Sequence, residues 1–166
     1  FRCASVAAPD ARAERAGDGW RLEGTVRYCS GIPYSTHFLG QALPAHLPRA
    51  EAAEHVLLYV APRSEWTMLD DWGDTLGLRG SGSQSIRFDD GWIPAEFVVE
   101  DLNMVAVDVS DGTPGLALHG NPLYVGRALA PFTISLGALA VGAGYNALDE
   151  FEHQMRTRKT PSFVSA

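Results

Sequence analysis

Trp20, Leu22, Gly24, Val26 and Tyr28 alternate with Arg21, Glu23, Thr25 and Arg27. Period two over residues 20–28 predicts a strand with one wet face, and Trp20, Leu22, Val26 and Tyr28 are expected to point inward. Residues 11–16 form a second strand, joined to the first by Gly17-Asp18-Gly19, whose residues tolerate positive φ. Residues 55–60 are a continuous apolar run, which predicts a strand covered on both faces. Residues 66–69 and 85–88 are shorter candidates, Asp89-Asp90-Gly91 reads as a turn, and His37 enters a further strand. Residues 44–53, rich in alanine and charge, read as an exposed loop with room for a helical turn. Short strands at close spacing predict a mainly β fold, a small antiparallel barrel or sandwich.

The pattern changes in the last third. Residues 95–124 are irregular, with a loop over 111–115. Then Leu136, Leu139, Ala140, Ala143, Ala147, Leu148, Phe151 and Met155 recur at three- and four-residue steps, predicting a helix from about 132 to 158. Gly137, Ala140, Gly144 and Ala147 add a stripe of small residues, and Arg156, Arg158, Lys159 and Pro161 mark the end. These shifts divide the chain into a β domain over 1–100, a connector over 101–127 and a helical segment over 128–166. Residues 128–148 carry no charge, but Pro131, Thr133, Ser135, Asn146 and several glycines, followed by Asp149, Glu150 and Glu152, argue for a buried helix rather than a membrane span. A helix this apolar wants partner helices, from segments outside these residues or from another subunit.

Composition narrows the function classes. Thirteen basic against 20 acidic residues give a net charge of −7, which argues against a general nucleic-acid binder and against a polybasic membrane patch. Only Cys3 and Cys29 are cysteines, so no disulfide scaffold is expected and a reducing cytoplasm is the natural setting. His37, His46, His55, His119 and His153 are dispersed without metal-ligand spacing, so no metal site is expected. The chain opens Phe-Arg-Cys, without an initiator Met or a signal-peptide core, and is read as a fragment of a longer protein.

Four segments carry a resemblance. Residues 19–31, Gly-Trp-Arg-Leu-Glu-Gly-Thr-Val-Arg-Tyr-Cys-Ser-Gly, are similar to the middle β-domain of the acyl-CoA dehydrogenase superfamily, and their Cys-Ser-Gly ending resembles its flavin-dependent monooxygenase branch. Residues 77–83 and 86–94 resemble that superfamily's arginine-serine segment and the strand after it. His119-Gly120-Asn121-Pro122-Leu123-Tyr124 resembles a loop of the two-component aromatic hydroxylases, 4-hydroxyphenylacetate-type enzymes among them. Residues 147–160 resemble the first helix of the C-terminal bundle. Arg27 departs from the pattern, standing near a position where the superfamily commonly has tryptophan.

The resemblance implies an oxygenase component that takes reduced flavin, FMN or FAD, from a partner reductase. With O2, through a flavin C4a-hydroperoxide, it would hydroxylate an aromatic or polyketide-like small molecule. The subunits would form a dimer or tetramer, and the catalytic base would lie outside these residues. An acyl-CoA dehydrogenase, which removes an α-proton and passes a β-hydride to FAD, is the alternative within the superfamily. A non-catalytic β-barrel interaction module is the alternative outside it.

The residues themselves leave two readings open at each candidate. Tyr28, Cys29 and Ser30 end a strand at a glycine turn. A hydroxyl or N–H there could bond the flavin N5 or C4 carbonyl, or the segment could be a capped turn with a buried thiol. Ser30 is the foremost candidate. Ser81, in Gly80-Ser81-Gly82-Ser83, could cradle a phosphate with backbone N–H groups or simply occupy a turn; Arg79 beside it supplies a charge. Arg158, by the resemblance, meets the flavin pyrophosphate of a neighbouring subunit; as a helix-end cation it would also suit the dipole. His37 and His119 read as structural, Asp70, Asp71 and Asp74 as a solvated face, and Trp66, Trp72 and Trp92 as packing.

Overall fold

The computed structural model describes residues 1–127 and 129–158. It contains two compact units, Phe1–Ser110 and Asp111–Ala166. Among the described residues the first holds eight strands: β1 (Cys3–Ser5), β2 (Ala11–Ala16), β3 (Gly19–Val26), β4 (His37–Pro44), β5 (Leu57–Pro62), β6 (Thr67–Met68), β7 (Ile86–Pro94) and β8 (Val98–Val99), with a short helix α1 (Arg49–Ala52) between β4 and β5.

β2 and β3 form the hairpin that the alternation predicts. Gly17 takes φ 63° in the turn, and Ala13 pairs with Leu22, Arg15 with Trp20. Trp20, Leu22 and Val26 are buried while Arg21 and Glu23 face water. Tyr28 does not join them, correcting the inward assignment. β3 ends at Val26, Tyr28 adopts φ 60° and is 72% exposed, and Cys29 is buried in its place. The positive φ swings the chain by one residue, so the side chain entering the core changes.

Asp89-Asp90-Gly91 is not a turn. It lies inside β7, where pairing with β3 passes from Leu22↔Gly91 to Gly24↔Phe88. Two steps on β3 face three on β7, which is a β-bulge. Asp90 takes the left-handed conformation at φ 58°, and its N–H donates to the Glu23 carboxylate at 2.8 Å. Acidic residues with a glycine look the same in a turn and in a bulge, because both need a residue tolerant of positive φ.

The expected antiparallel barrel or sandwich is corrected in part. The sheet is open, in the order β6-β7-β3-β2-β4-β5-β8. It is partly parallel, because β1 and β2 both pair parallel with β4, at His37–Leu39 and at Ala42–Pro44. The two ends of the sheet, β6 and β8, have two residues each, too few to zip a barrel shut. The sheet nonetheless curls over one core. Phe38 on β4, Tyr59 on β5 and Phe88 on β7 put their ring centroids 5.7–6.5 Å apart, although β5 and β7 are not neighbours. β5 itself is covered on one face rather than two. Leu57, Tyr59 and Ala61 are buried while Leu58, Val60 and Pro62 are partly exposed, so the apolar run conceals an alternation.

The second unit is helical. Thr113 caps α2 (Pro114–His119) by accepting from the Leu116 N–H at 3.0 Å, and Gly120 closes it at φ 61°. The His119 and Tyr124 rings then stack at 5.1 Å. The long helix α3 spans Leu129–Thr157 and presents Phe132, Leu136, Leu139, Leu148, Phe151 and Met155 as exposed side chains. Among the described residues no helix is long and apolar enough to cross a membrane. Lys159 and Pro161, the expected stop, lie outside the described residues.

Candidate functional site

Two loops of the first unit meet where β3 ends and β7 begins. Gly31 (φ 78°) turns the first loop, and buried Ile32 pins it to the core. The second loop approaches so closely that a Cβ on Gly82 would come within 3.0 Å of the Pro33 ring. Two backbone bonds join them: Gly31 N–H donates to the Ser81 carbonyl at 2.8 Å, and Cys29 N–H to the Gln84 carbonyl at 3.1 Å. Three hydroxyls gather at the seam. Ser30 Oγ lies 2.8 Å from Ser83 Oγ, and Ser83 Oγ also bonds Ser81 Oγ. Ser83 is buried, Ser81 half-buried and Ser30 exposed, so the group reaches from the interior to the surface.

A third segment braces the pair. The Gln84 side-chain carbonyl accepts from the N–H groups of Asp71 and Trp72 at 2.7 and 2.6 Å. The Asp71 carboxylate accepts from the Ser85 N–H at 2.7 Å. Bonds from the Ser85 hydroxyl and N–H hold the Asp71 carboxyl below its ordinary value. Asp71 is thus a loop staple, whereas Asp74 forms an exposed ion pair with Arg79 at 2.7 Å.

The six expected site residues fall in different places. Tyr28, Ser30 and Ser81 share the seam with Cys29, but the Cys29 thiol is fully buried and donates to the Val26 carbonyl at 3.4 Å. Burial pushes that thiol up to about 12, so only its backbone faces the loops. Arg79 is exposed, its Nε donating to the Thr75 carbonyl at 2.8 Å. Arg158 belongs to the second unit, exposed just past α3, with its N–H on the Gln154 carbonyl at 2.8 Å. Sequence reasoning passed over Ser83 and Gln84 as bonding centres. The Gly-Ser-Gly-Ser spacing was a signal for Ser83; Gln84 had none.

The donor set suits the edge of a heteroaromatic ring carrying nitrogen and carbonyl acceptors. It offers neutral hydroxyls, an exposed aromatic side chain at Tyr28, and open space where Gly31 bears no Cβ. No group of His, Cys, Asp and Glu among the described residues could hold a metal ion. A separate cleft of about 360 Å3 lies among Trp20, His46, Leu47, Glu51, His55 and Glu100. Its polar groups are partly engaged already: His55 Nδ1 lies 2.9 Å from the Asp101 carboxylate, and Glu100 pairs with Arg15 at 2.8 Å.

The fold is that of the acyl-CoA dehydrogenase-like flavin-dependent hydroxylases, and the resemblance read from the sequence holds. No protein-family model matches the chain. It is 27% identical over 157 residues to the pigment production hydroxylase of a Rhodococcus species, across 94% of this chain and 38% of that relative. Its structure is similar to that of XiaF from a Streptomyces species, solved in complex with FADH2 and glycerol, with a TM-score of 0.75 at 23% identity. That likeness covers 98% of this chain and 39% of XiaF. The 3-HSA hydroxylase from Rhodococcus sp. RHA1 is similar at a TM-score of 0.73 and 23% identity, over 96% of this chain and 40% of its own. The chain therefore spans about two fifths of the length of these proteins.

Proposed function

We propose that this chain supplies the flavin-contacting part of a flavin-dependent oxygenase that hydroxylates an aromatic or polyketide-like small molecule. The observation that carries the proposal is the relationship to a hydroxylase along 94% of the chain, joined to a seam of neutral donors at Ser30, Ser81 and Ser83. Reduced flavin would supply the electrons that split O2, one oxygen atom entering the substrate C–H bond and the other leaving as water, with the flavin returned oxidised. The chain's own residues bind and orient. Ser30 offers its hydroxyl to the ring edge and Tyr28 its aromatic face. The backbone of Cys29 shapes the turn, while Ser81 and Arg79 line the approach.

In the same reading, residues 1–100 form the flavin-contacting domain, 101–127 the connector and 128–166 the first bundle helix. The apolar face of α3 would meet other helices in a homo-oligomer, where Arg158 approaches a cofactor phosphate across subunits, a role that suits the arginine fork. FMN or FAD would arrive reduced from a transient reductase partner, in a cytoplasm that keeps both cysteines as thiols. The test is to supply full-length protein with chemically reduced flavin and O2, without nicotinamide, and to follow hydroxylation of phenolic substrates by mass spectrometry. An oxygen atom from 18O2 in the product is expected. Full-length protein that binds neither FMN nor FAD would refute the reading.

A further inference from the structure

The three hydroxyls at the loop seam form a chain with a choice of direction. Ser83 Oγ is bonded to both Ser30 Oγ, at 2.8 Å, and Ser81 Oγ. Each serine has one proton to donate. Ser83 is 6% exposed, so leaving its proton unused would strand a buried donor, which is costly. It therefore donates to one neighbour and accepts from the other. When Ser83 donates to Ser30, the Ser30 proton is released toward solvent and Ser30 acts as a donor. When Ser83 donates to Ser81, Ser30 must spend its proton on Ser83 and presents only lone pairs outward. The two arrangements share the same heavy-atom positions and differ only in hydroxyl rotation.

Resting on the flavin reading above, we propose that Ser83 is a positioning residue that lets Ser30 serve both redox states of the bound flavin. The N5 atom of an oxidised isoalloxazine ring is a bare nitrogen and accepts a hydrogen bond; reduced, it carries a proton and donates. A fixed donor at this edge would suit one state and oppose the other. The Ser81–Ser83–Ser30 chain reverses to match either, because the proton that Ser83 gives to one side it withdraws from the other. Ser30 is exposed and meets the ligand, whereas Ser83 acts through it.

The test measures dissociation constants of oxidised and reduced flavin on full-length protein carrying Ser83→Ala, Ser30→Ala, both, or Ser83→Thr. Fluorescence and visible absorbance are the readouts, and thermal melting confirms folding. Ser83→Ala should weaken both redox states alike, by about three- to tenfold, the size of one neutral hydrogen bond. The double variant should be no more than about twofold weaker than Ser30→Ala, as two residues acting in series require. Ser83→Thr, which keeps the hydroxyl, should recover both affinities. Ser83→Ala that binds flavin like the unaltered protein, that weakens one redox state alone, or that adds fully to Ser30→Ala overturns the proposal while leaving the flavin reading intact. Unaltered protein that binds no flavin in either state defeats both.

Discussion

The amide of Gly31 donates to the carbonyl of Ser81 at 2.8 Å, tying the loop that leaves β3 to the loop that enters β7. Because β3 and β7 are themselves hydrogen-bonded neighbours, the seam is braced by a sheet pair beneath it. A hydroxyl chain can keep its geometry only on such a support.

Gly31 takes φ 78°, yet a Cβ there would touch nothing within 4 Å. Gly31→Ala should therefore cost about 1 kcal/mol from backbone conformation alone, read as a lowered denaturation midpoint. A neutral result would show that the turn readily adopts another conformation.

At Gly40 the cost has a different origin. A Cβ would lie 2.5 Å from Tyr59 Oη and 2.6 Å from a Phe38 ring carbon, so Gly40→Ala overpacks the aromatic core and should destabilise by about 1–3 kcal/mol. The Tyr59 hydroxyl is buried without a hydrogen-bond partner. Tyr59→Phe should accordingly be neutral or stabilising by about 1 kcal/mol. Urea unfolding of the two single variants decides both points.

Asp71 sets a weak acid dependence. Its carboxyl is held below the ordinary value of 3.8 by Ser85, so the unfolded chain takes up this proton first. The stabilisation is present above pH 3.8 and fades as pH falls through the lower folded value. The group is largely in water, so the effect is small. Asp71→Asn should flatten the acid limb of a melting-temperature profile relative to the unaltered protein; coincident limbs would contradict the assignment.

Cys29 behaves oppositely. Burial raises its thiol from 9.0 to about 12, so above pH 9 the unfolded chain ionises before the folded one and stability declines toward pH 12. At pH 8, iodoacetamide should label exposed Cys3 well before Cys29. Peptide mapping that found Cys29 alkylated first in folded protein would refute its inward placement.

The alternation over residues 20–28, the glycine turn before it and the long amphipathic repeat near the end were legible because each depends on near neighbours along the chain. Ser30 and Ser81 were singled out by motif rather than geometry, and the structure brings both to one seam with Ser83. The bulge at Asp90 was not legible, since its distinction from a turn lies in the partner strand. Nor was the parallel return of β1 and β2 onto β4, which is a pairing between segments distant in sequence. The outward turn of Tyr28 was decided by the burial of Cys29. Ser83 became a bonding hub only when the loops around residues 30 and 81 were brought together. The amino-acid sequence by itself determined local periodicity, turn chemistry and the resemblance. Tertiary structure alone decided which strand edges meet and that Ser30 shares a proton with Ser83, 53 positions away, because such contacts join segments distant along the chain and chain order does not encode their distance in space.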